Sequence, residues 1–182
     1  MNWKDSGYLL SKNQFNENSV IAEVFTKNHG KISGIIFGAS SKKIKNYLQL
    51  GNKLHLNFNS KNDSMLGNIK VEIEEALTPF FFDNKQKLAC IVSSMNLVKI
   101  LTVESQENIK IYDLINNLFL ILKNLHWLKD LVFWELQLLK LIGYDLELKN
   151  IVDEEIVNGK RQFFVQRNNE KKIIYNLEIN YI

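Results

Sequence analysis

Between Glu23 and Asp63 the chain has no carboxylate, yet it carries Lys27, Lys31, Lys42, Lys43, Lys45, Lys53 and Lys61. Ammonium groups without acids beside them suit a polyanion, whose phosphates they neutralise while releasing its condensed counterions. Residues 1–80 hold ten lysines against seven acids and the rest of the chain is balanced, so the formal charge of +3 sits in the first part. Such one-sided charge points to nucleic acid or another anionic surface. Aromatic residues are interleaved with the lysines, and unpaired bases need flat rings to stack on. Phe15, in the expected loop between the first two strands (Asn13 to Asn18), is placed for stacking, with Phe37 and Tyr47 as further candidates. Lys42, Lys43 and Lys45 are the foremost phosphate contacts; Lys27, Lys31 and Lys61 complete the expected basic set.

Other chemistries find little support. His29, His55 and His126 lie far apart, none with a second His or Cys at ligand spacing, so no metal site is expected. They read as turn, surface and core residues. Cys90 is the only cysteine, which excludes an internal disulfide and a Cys-based zinc site. Its neighbours Leu88, Ala89, Ile91 and Val92 offer nothing to activate a thiol, so it reads as a buried structural group. Gly30, Gly34 and Gly38 recur every fourth residue, but neither GxxxxGK[ST] nor GxGxxG is present. On a strand these glycines share one face and permit curvature or close approach of another backbone. Asp153-Glu154-Glu155 reads as a solvated charge run. No Ser-His-Asp or paired-carboxylate spacing occurs. The expectation is a binding protein with no catalytic residues, metal or cofactor.

The elements that must position the lysines follow from hydrophobic period. Strand signals run over Gly7 to Leu10, Ser19 to Thr26, Lys31 to Ala39, Leu54 to Asn59 and Leu66 to Glu74, with a long link from Ser40 to Asn52. Five strands with one longer link predict an oligonucleotide-binding type of barrel, with ligand on strands two and three and the one–two and four–five loops. Phe25, Phe37 and Phe58 alternate with polar residues and are expected in its core. After Pro79 the spacing turns helical. Helices are predicted from Leu88 to Leu101 or Thr102, from Leu114 to Leu125 and from Leu128 to Ile142, the last closed by Gly143. Short alternating runs, Gln162 to Gln166 and Lys172 to Leu177, predict a hairpin turning through Arg167 to Glu170. The predicted organisation is thus β followed by α: a five-stranded barrel over 1–79, then a helical domain over 80–182 whose residues 144–182 form a small β tail. The densest apolar stretch, Leu114 to Ile142, is broken by Asn116, Lys123, Asp130 and Glu135, so it is a helical core and not a membrane span. Met1-Asn2-Trp3-Lys4-Asp5 lacks a signal-peptide pattern, and a cytoplasmic protein is expected.

The order of motifs resembles a known family. Trp3, Gly7-Tyr8-Leu9-Leu10, Glu17, Ser19, Val24-Phe25-Thr26, Gly30-Lys31, Gly38-Ala39 and Lys42 resemble the start of RecO, the bacterial recombination mediator. Phe133-Trp134-Glu135-Leu136-Gln137-Leu138-Leu139, running into Leu141-Ile142-Gly143-Tyr144, is similar to that family's late helix and its ending. The resemblance covers roughly residues 1–150. It implies a non-enzymatic, nucleoid-associated protein that binds single- and double-stranded DNA and anneals complementary strands. With RecR it would load RecA onto DNA coated by single-stranded-DNA-binding protein, whose acidic, Phe-ending tail would dock on the helical part. Many members carry a four-cysteine zinc motif after the Gly-aromatic ending, whereas Lys149 to Ile182 holds no cysteine, so a metal-free β structure is expected there. The family usually continues with further helices beyond the point where this chain stops. Two other readings stay open: a barrel that serves as a protein-interaction scaffold, and an RNA-binding translation or ribosome factor.

Overall fold

The computed structural model describes residues 1–60 and 66–144 with their side chains, and the backbone of 151–158, 160–167 and 170–178. Residues 1–142 form one compact unit and 143–182 a second. In the first, β1 (Asn2–Asn16), β2 (Ser19–Thr26), β3 (Gly30–Phe37), β4 (Lys53–Asn59) and β5 (Gly67–Glu75) close into a barrel in the order β1-β2-β3-β5-β4. This is the five-stranded architecture expected from the alternation.

β1 is much longer than the Gly7–Leu10 signal. One strand serves two neighbours: Asn2 to Tyr8 pairs with β4, and Gly7 to Asn16 pairs with β2. Register shifts between Leu9 and Ser11 and between Gln14 and Asn16 bend it around the barrel. Phe15 therefore stands at the end of a strand and not in a loop. The parallel β3–β5 closure consists of Gly34↔Gly67 and Ile35↔Asn68. A methyl on Gly34 would come within 2.8 Å of the Gly67 carbonyl, and one on Gly67 within 2.2 Å of the Phe58 ring. Of the three regularly spaced glycines, Gly34 thus makes the seam. Gly38 instead takes φ +73° in an open turn.

The long link contains a helix that periodicity did not reveal, α1 (Lys42–Tyr47), with the Ser41 side chain capping it by accepting from the Ile44 amide. A 3-10 turn with Pro79 in its first positions (Thr78–Phe81) leads into α2 (Lys85–Leu101), followed by α3 (Ile109–Ile121) and α4 (Trp127–Leu141). Asn84 and Asn108 cap α2 and α3 through their side-chain oxygens. Gly143 takes φ +98° just past α4, as its predicted closing role requires.

Two cores result. Leu9, Val24, Ile36, Leu54, Leu56, Phe58 and Ile69 fill the barrel. Tyr8, Leu10 and Phe25 leave the barrel wall on the opposite face and join Ile91, Met95, Leu118, Phe119 and Trp134 in the helical core. Of the three phenylalanines expected inside the barrel, only Phe58 is there. Phe25 is buried among the helices, and Phe37 is 60% exposed. His126, read as a core residue, is exposed at the start of α4. Cys90 is half-buried, and burial, helped by Glu135, pushes its thiol up, away from reactivity. In the second unit β6 (Ile151–Val157), β7 (Lys160–Arg167) and β8 (Glu170–Glu178) form an antiparallel sheet. β7 and β8 correspond to the two alternating runs, whereas β6 is an addition: Asp153-Glu154-Glu155, expected as a solvated charge run, lies within it and hides its alternation.

Candidate nucleic-acid interface

α1 turns Ile44 and Tyr47 toward the barrel, with Leu48 buried just beyond them, and leaves Lys42, Lys43 and Lys45 in solvent. β1 adds a fourth cation that the sequence reading missed: the Lys12 ammonium donates to the Leu48 carbonyl at the end of this helix. Burial, followed by the charge of Lys45, lowers the Lys12 ammonium below its ordinary pKa. Among the described residues none of these four lysines forms an ion pair with an acid. Crowded cations of one sign repel, and a phosphate placed among them would relieve that repulsion. The Ala39 amide donates to the Asn18 carbonyl at 3.1 Å, and the Ser40 hydroxyl bonds the Asn18 side chain. These contacts tie the entry to α1 to the β1–β2 turn. Phe15, 52% exposed, and Phe37 lie beside that turn and offer open rings at the same end of the barrel. Tyr47 differs, being half-buried with the Lys43 ammonium 5.9 Å from its ring centre. The Lys43 ammonium therefore lies over one face of this ring.

The remaining members of the expected basic set are dispersed. The Lys31 ammonium donates to the Lys99 and Thr102 carbonyls, at 2.7 and 2.6 Å, where α2 ends. It closes a helix terminus whose carbonyls lack intrahelical partners. Ser33 donates to Glu104, Lys99 pairs with Glu23 at 3.0 Å, and Gly30 lies so close to Gln106 that a methyl there would sit 2.0 Å from its carbonyl oxygen. The Lys31 end of the β2–β3 outer face, where ligand was expected, is therefore covered by the end of α2 and the segment after it. Lys27 is exposed in the β2–β3 turn, seven or more residues along β2 from the α1 end, or about 25 Å. Lys61 lies outside the described residues.

A second polar surface occupies the outside of β1, β4 and β5. Strand register aligns Asn2, Asn59 and Asn68 in one rung, Lys4, Asn57 and Lys70 in the next, and Ser6, His55 and Glu72 in a third. Two shallow grooves of about 620 and 570 Å³ meet over Asn57 and Lys70, and the first is also lined by Lys27. At its far end Ser6 donates to Glu74, which also meets Lys53 at 3.0 Å and His55 at 3.3 Å. Burial alone would push the Glu74 carboxyl up. The hydrogen bonds from Ser6 and Lys53, with the charges of Lys53 and His55, outweigh it and hold the group below its ordinary range. Ser6 Oγ also lies 3.3 Å from His55 Nδ1, so serine, histidine and carboxylate share one hydrogen-bonded cluster. His29 stacks on Trp3 at 3.8 Å, and its Nδ1 meets the almost fully buried Asp5 carboxylate at 2.9 Å. Asp5 also accepts from the backbone and side chain of Asn28, so it latches the β2–β3 turn onto β1. Among the described residues no cluster of His, Cys, Asp or Glu is suited to hold a metal, and no helix is long and apolar enough to cross a membrane.

The helical part has its own exposed apolar groups. Phe80, Leu120 and Leu125 are 77%, 56% and 94% exposed. The Lys123 ammonium lies 5.8 Å from the Phe80 ring centre, and that of Lys87 lies 5.9 Å from Trp127. Cations and open apolar side chains thus sit together where the 3-10 turn, the end of α3 and the starts of α2 and α4 lie.

Comparison with known families places these features in context. Residues 1–76 match the family described as recombination protein O N terminal, and residues 84–170 the one described as recombination protein O C terminal. A DNA repair protein RecO of Rickettsia africae (strain ESF-5) is 38% identical over 149 residues, covering 81% of this chain and 62% of the relative. That of Rickettsia canadensis (strain McKiel) is 35% identical over 148 residues, covering 81% and 61%. That of Wolbachia pipientis subsp. Culex pipiens (strain wPip) is 31% identical over 150 residues, with the same coverage. The chain spans about three-fifths of the length of the curated relatives it matches.

Proposed function

The chain belongs to the RecO family, and from that premise we propose that it is a non-enzymatic DNA-binding protein of bacterial recombinational repair. The single observation that carries this reading is the group of Lys12, Lys42, Lys43 and Lys45 around α1, unpaired with any described acid and flanked by the open rings of Phe15 and Phe37. Lysines on mobile stems follow a phosphate backbone without reading sequence, and phenylalanine stacks on any base. The barrel therefore holds single- or double-stranded DNA through its backbone with little sequence preference. A positive surface also lowers the repulsion between two complementary strands, which favours annealing.

In this proposal the helical part docks proteins. An acidic tail ending in Phe, as on single-stranded-DNA-binding protein, finds complementary chemistry in Lys87, Lys123 and the apolar groups around Phe80. Cooperation with RecR and the loading of RecA, in a cytoplasmic, nucleoid-associated setting, follow from the family and are proposed on that ground.

The test is fluorescence anisotropy of a labelled oligo-dT across a salt series. With about four lysines in contact, log K falls against log salt with a slope near −3. Lys42→Gln, Lys43→Gln and Lys45→Gln together are expected to weaken binding at least tenfold and bring the slope close to −1, as three phosphate contacts are lost. Unchanged affinity and slope in the triple variant would remove α1 from the interface.

A further inference from the structure

We infer that the outer face of β1, β4 and β5 is a second nucleic-acid track, so that the barrel holds two strands at once on separate surfaces. The inference rests on the reading of the α1 lysines as a DNA surface and adds a site to it. Its basis is the juxtaposition of two rungs, Asn2–Asn59–Asn68 and Lys4–Asn57–Lys70, over the grooves that meet at Asn57 and Lys70. Among the described residues, no hydrogen bond or ion pair occupies any of these six side chains.

The chemistry selects the occupant. Each carboxamide offers both a donor and an acceptor, which suits sugars, phosphates and base edges of any sequence. Lys4 and Lys70 flank Asn57 at two strand spacings, roughly 10 Å apart, and the rungs repeat about every 6.8 Å along the strands. Lys27 adds a third cation on the rim of the first groove. The six side chains of the two rungs include no acid and no apolar group, while Asp5 and Glu72 line the first groove beside them and Leu66 the second. A protein partner would want an apolar centre in such a patch, whereas a polyanion wants what is present. Glu72, one rung further on, ends the favourable stretch.

The two surfaces are also suitably spaced. Lys4 and Lys12 are eight residues apart on the same strand, up to about 26 Å. This exceeds the Debye length of about 8–10 Å at moderate salt, so two bound strands would repel each other only weakly. A protein loaded in this way brings complementary strands together without forcing both onto one patch.

The experiment uses the full chain and two readouts: the number of labelled oligo-dT strands of about ten nucleotides bound per chain, and the annealing rate of complementary oligonucleotides. The wild-type chain is expected to bind two strands. Lys4→Glu with Lys70→Glu is expected to bind one and to anneal at least tenfold more slowly. Lys4→Gln with Lys70→Gln, which adds no negative charge, should fall between the two, and thermal melting confirms that both variants are folded. One strand bound by the wild-type chain, or unchanged stoichiometry and annealing in both Lys4/Lys70 variants, overturns the second track and leaves the α1 surface standing. A wild-type chain that binds no DNA overturns both readings.

Discussion

Lys31 and Lys42 have the same side chain and come from the same acid-free stretch, yet their surroundings give them different work. The Lys31 ammonium is held by two carbonyls at the end of α2, whereas Lys42 stands free on a short helix. Hydrogen bonds to a charged group contribute about 1.5–3 kcal/mol, so Lys31→Met is expected to lower stability by roughly that amount. It should leave the salt dependence of DNA binding unchanged. A slope shallower by about 0.7 in that variant would instead make Lys31 a phosphate contact. Lys12 shows the reverse case. In sequence its nearest acid is Glu17, five residues on, but folding sets it beside Lys45 and the end of α1.

At the scale of elements, β4 and β5 hold the second polar face and also carry the network that stiffens it. Glu74 accepts from Ser6 on β1 and pairs with Lys53 on β4, so one carboxylate ties three strands. Its pKa is held below the ordinary value, so its contribution is fully present above the unfolded value and is lost as pH falls through the folded one. Burial lowers the Lys53 ammonium, but its hydrogen bond to Glu74 and the nearby charges raise it on balance. Its contribution is therefore present below the ordinary lysine value and lost only as pH rises through the folded value. Glu74→Gln is accordingly expected to destabilise the chain at neutral pH. The difference from the wild-type chain should shrink below about pH 4 and vanish at lower pH. Urea unfolding at several pH values checks this, and a difference that persists in acid would show that Glu74 acts through packing alone.

At the scale of the molecule, barrel and helices share a core through Tyr8, Leu10 and Phe25, which leave the strands outward and are buried among α2, α3 and α4. The Tyr8 hydroxyl donates to Asn116 at 2.9 Å, and burial, helped by Tyr112 and Glu75, pushes its pKa well up. Residues 1–142 should then unfold as one cooperative piece. Phe25→Ala leaves a cavity in the helical core and is expected to cost about 3–5 kcal/mol. Fluorescence from Trp3 in the barrel and from Trp134 among the helices, each isolated by replacing the other tryptophans with phenylalanine, should shift to the same lower midpoint. Trp3 keeping its wild-type midpoint while Trp134 shifts would mean that the barrel folds independently of the helices.

Sequence by itself determined the five-stranded barrel, the three long helices and the positive bias, because alternation, helical period and charge are properties of near neighbours along a chain. Gly143 as a helix ending and Pro79 as the point of change were legible for the same reason. Tertiary structure alone decided which lysines stay free, since that depends on what folds over them: α2 claims Lys31, α1 leaves Lys42, Lys43 and Lys45 in solvent, and Lys12 arrives from a distant strand. It also decided the fates of Phe25 and Phe37, which occupy similar positions in the alternation. A barrel wall has two faces, and only the packing of a second layer determines which outward residues are covered.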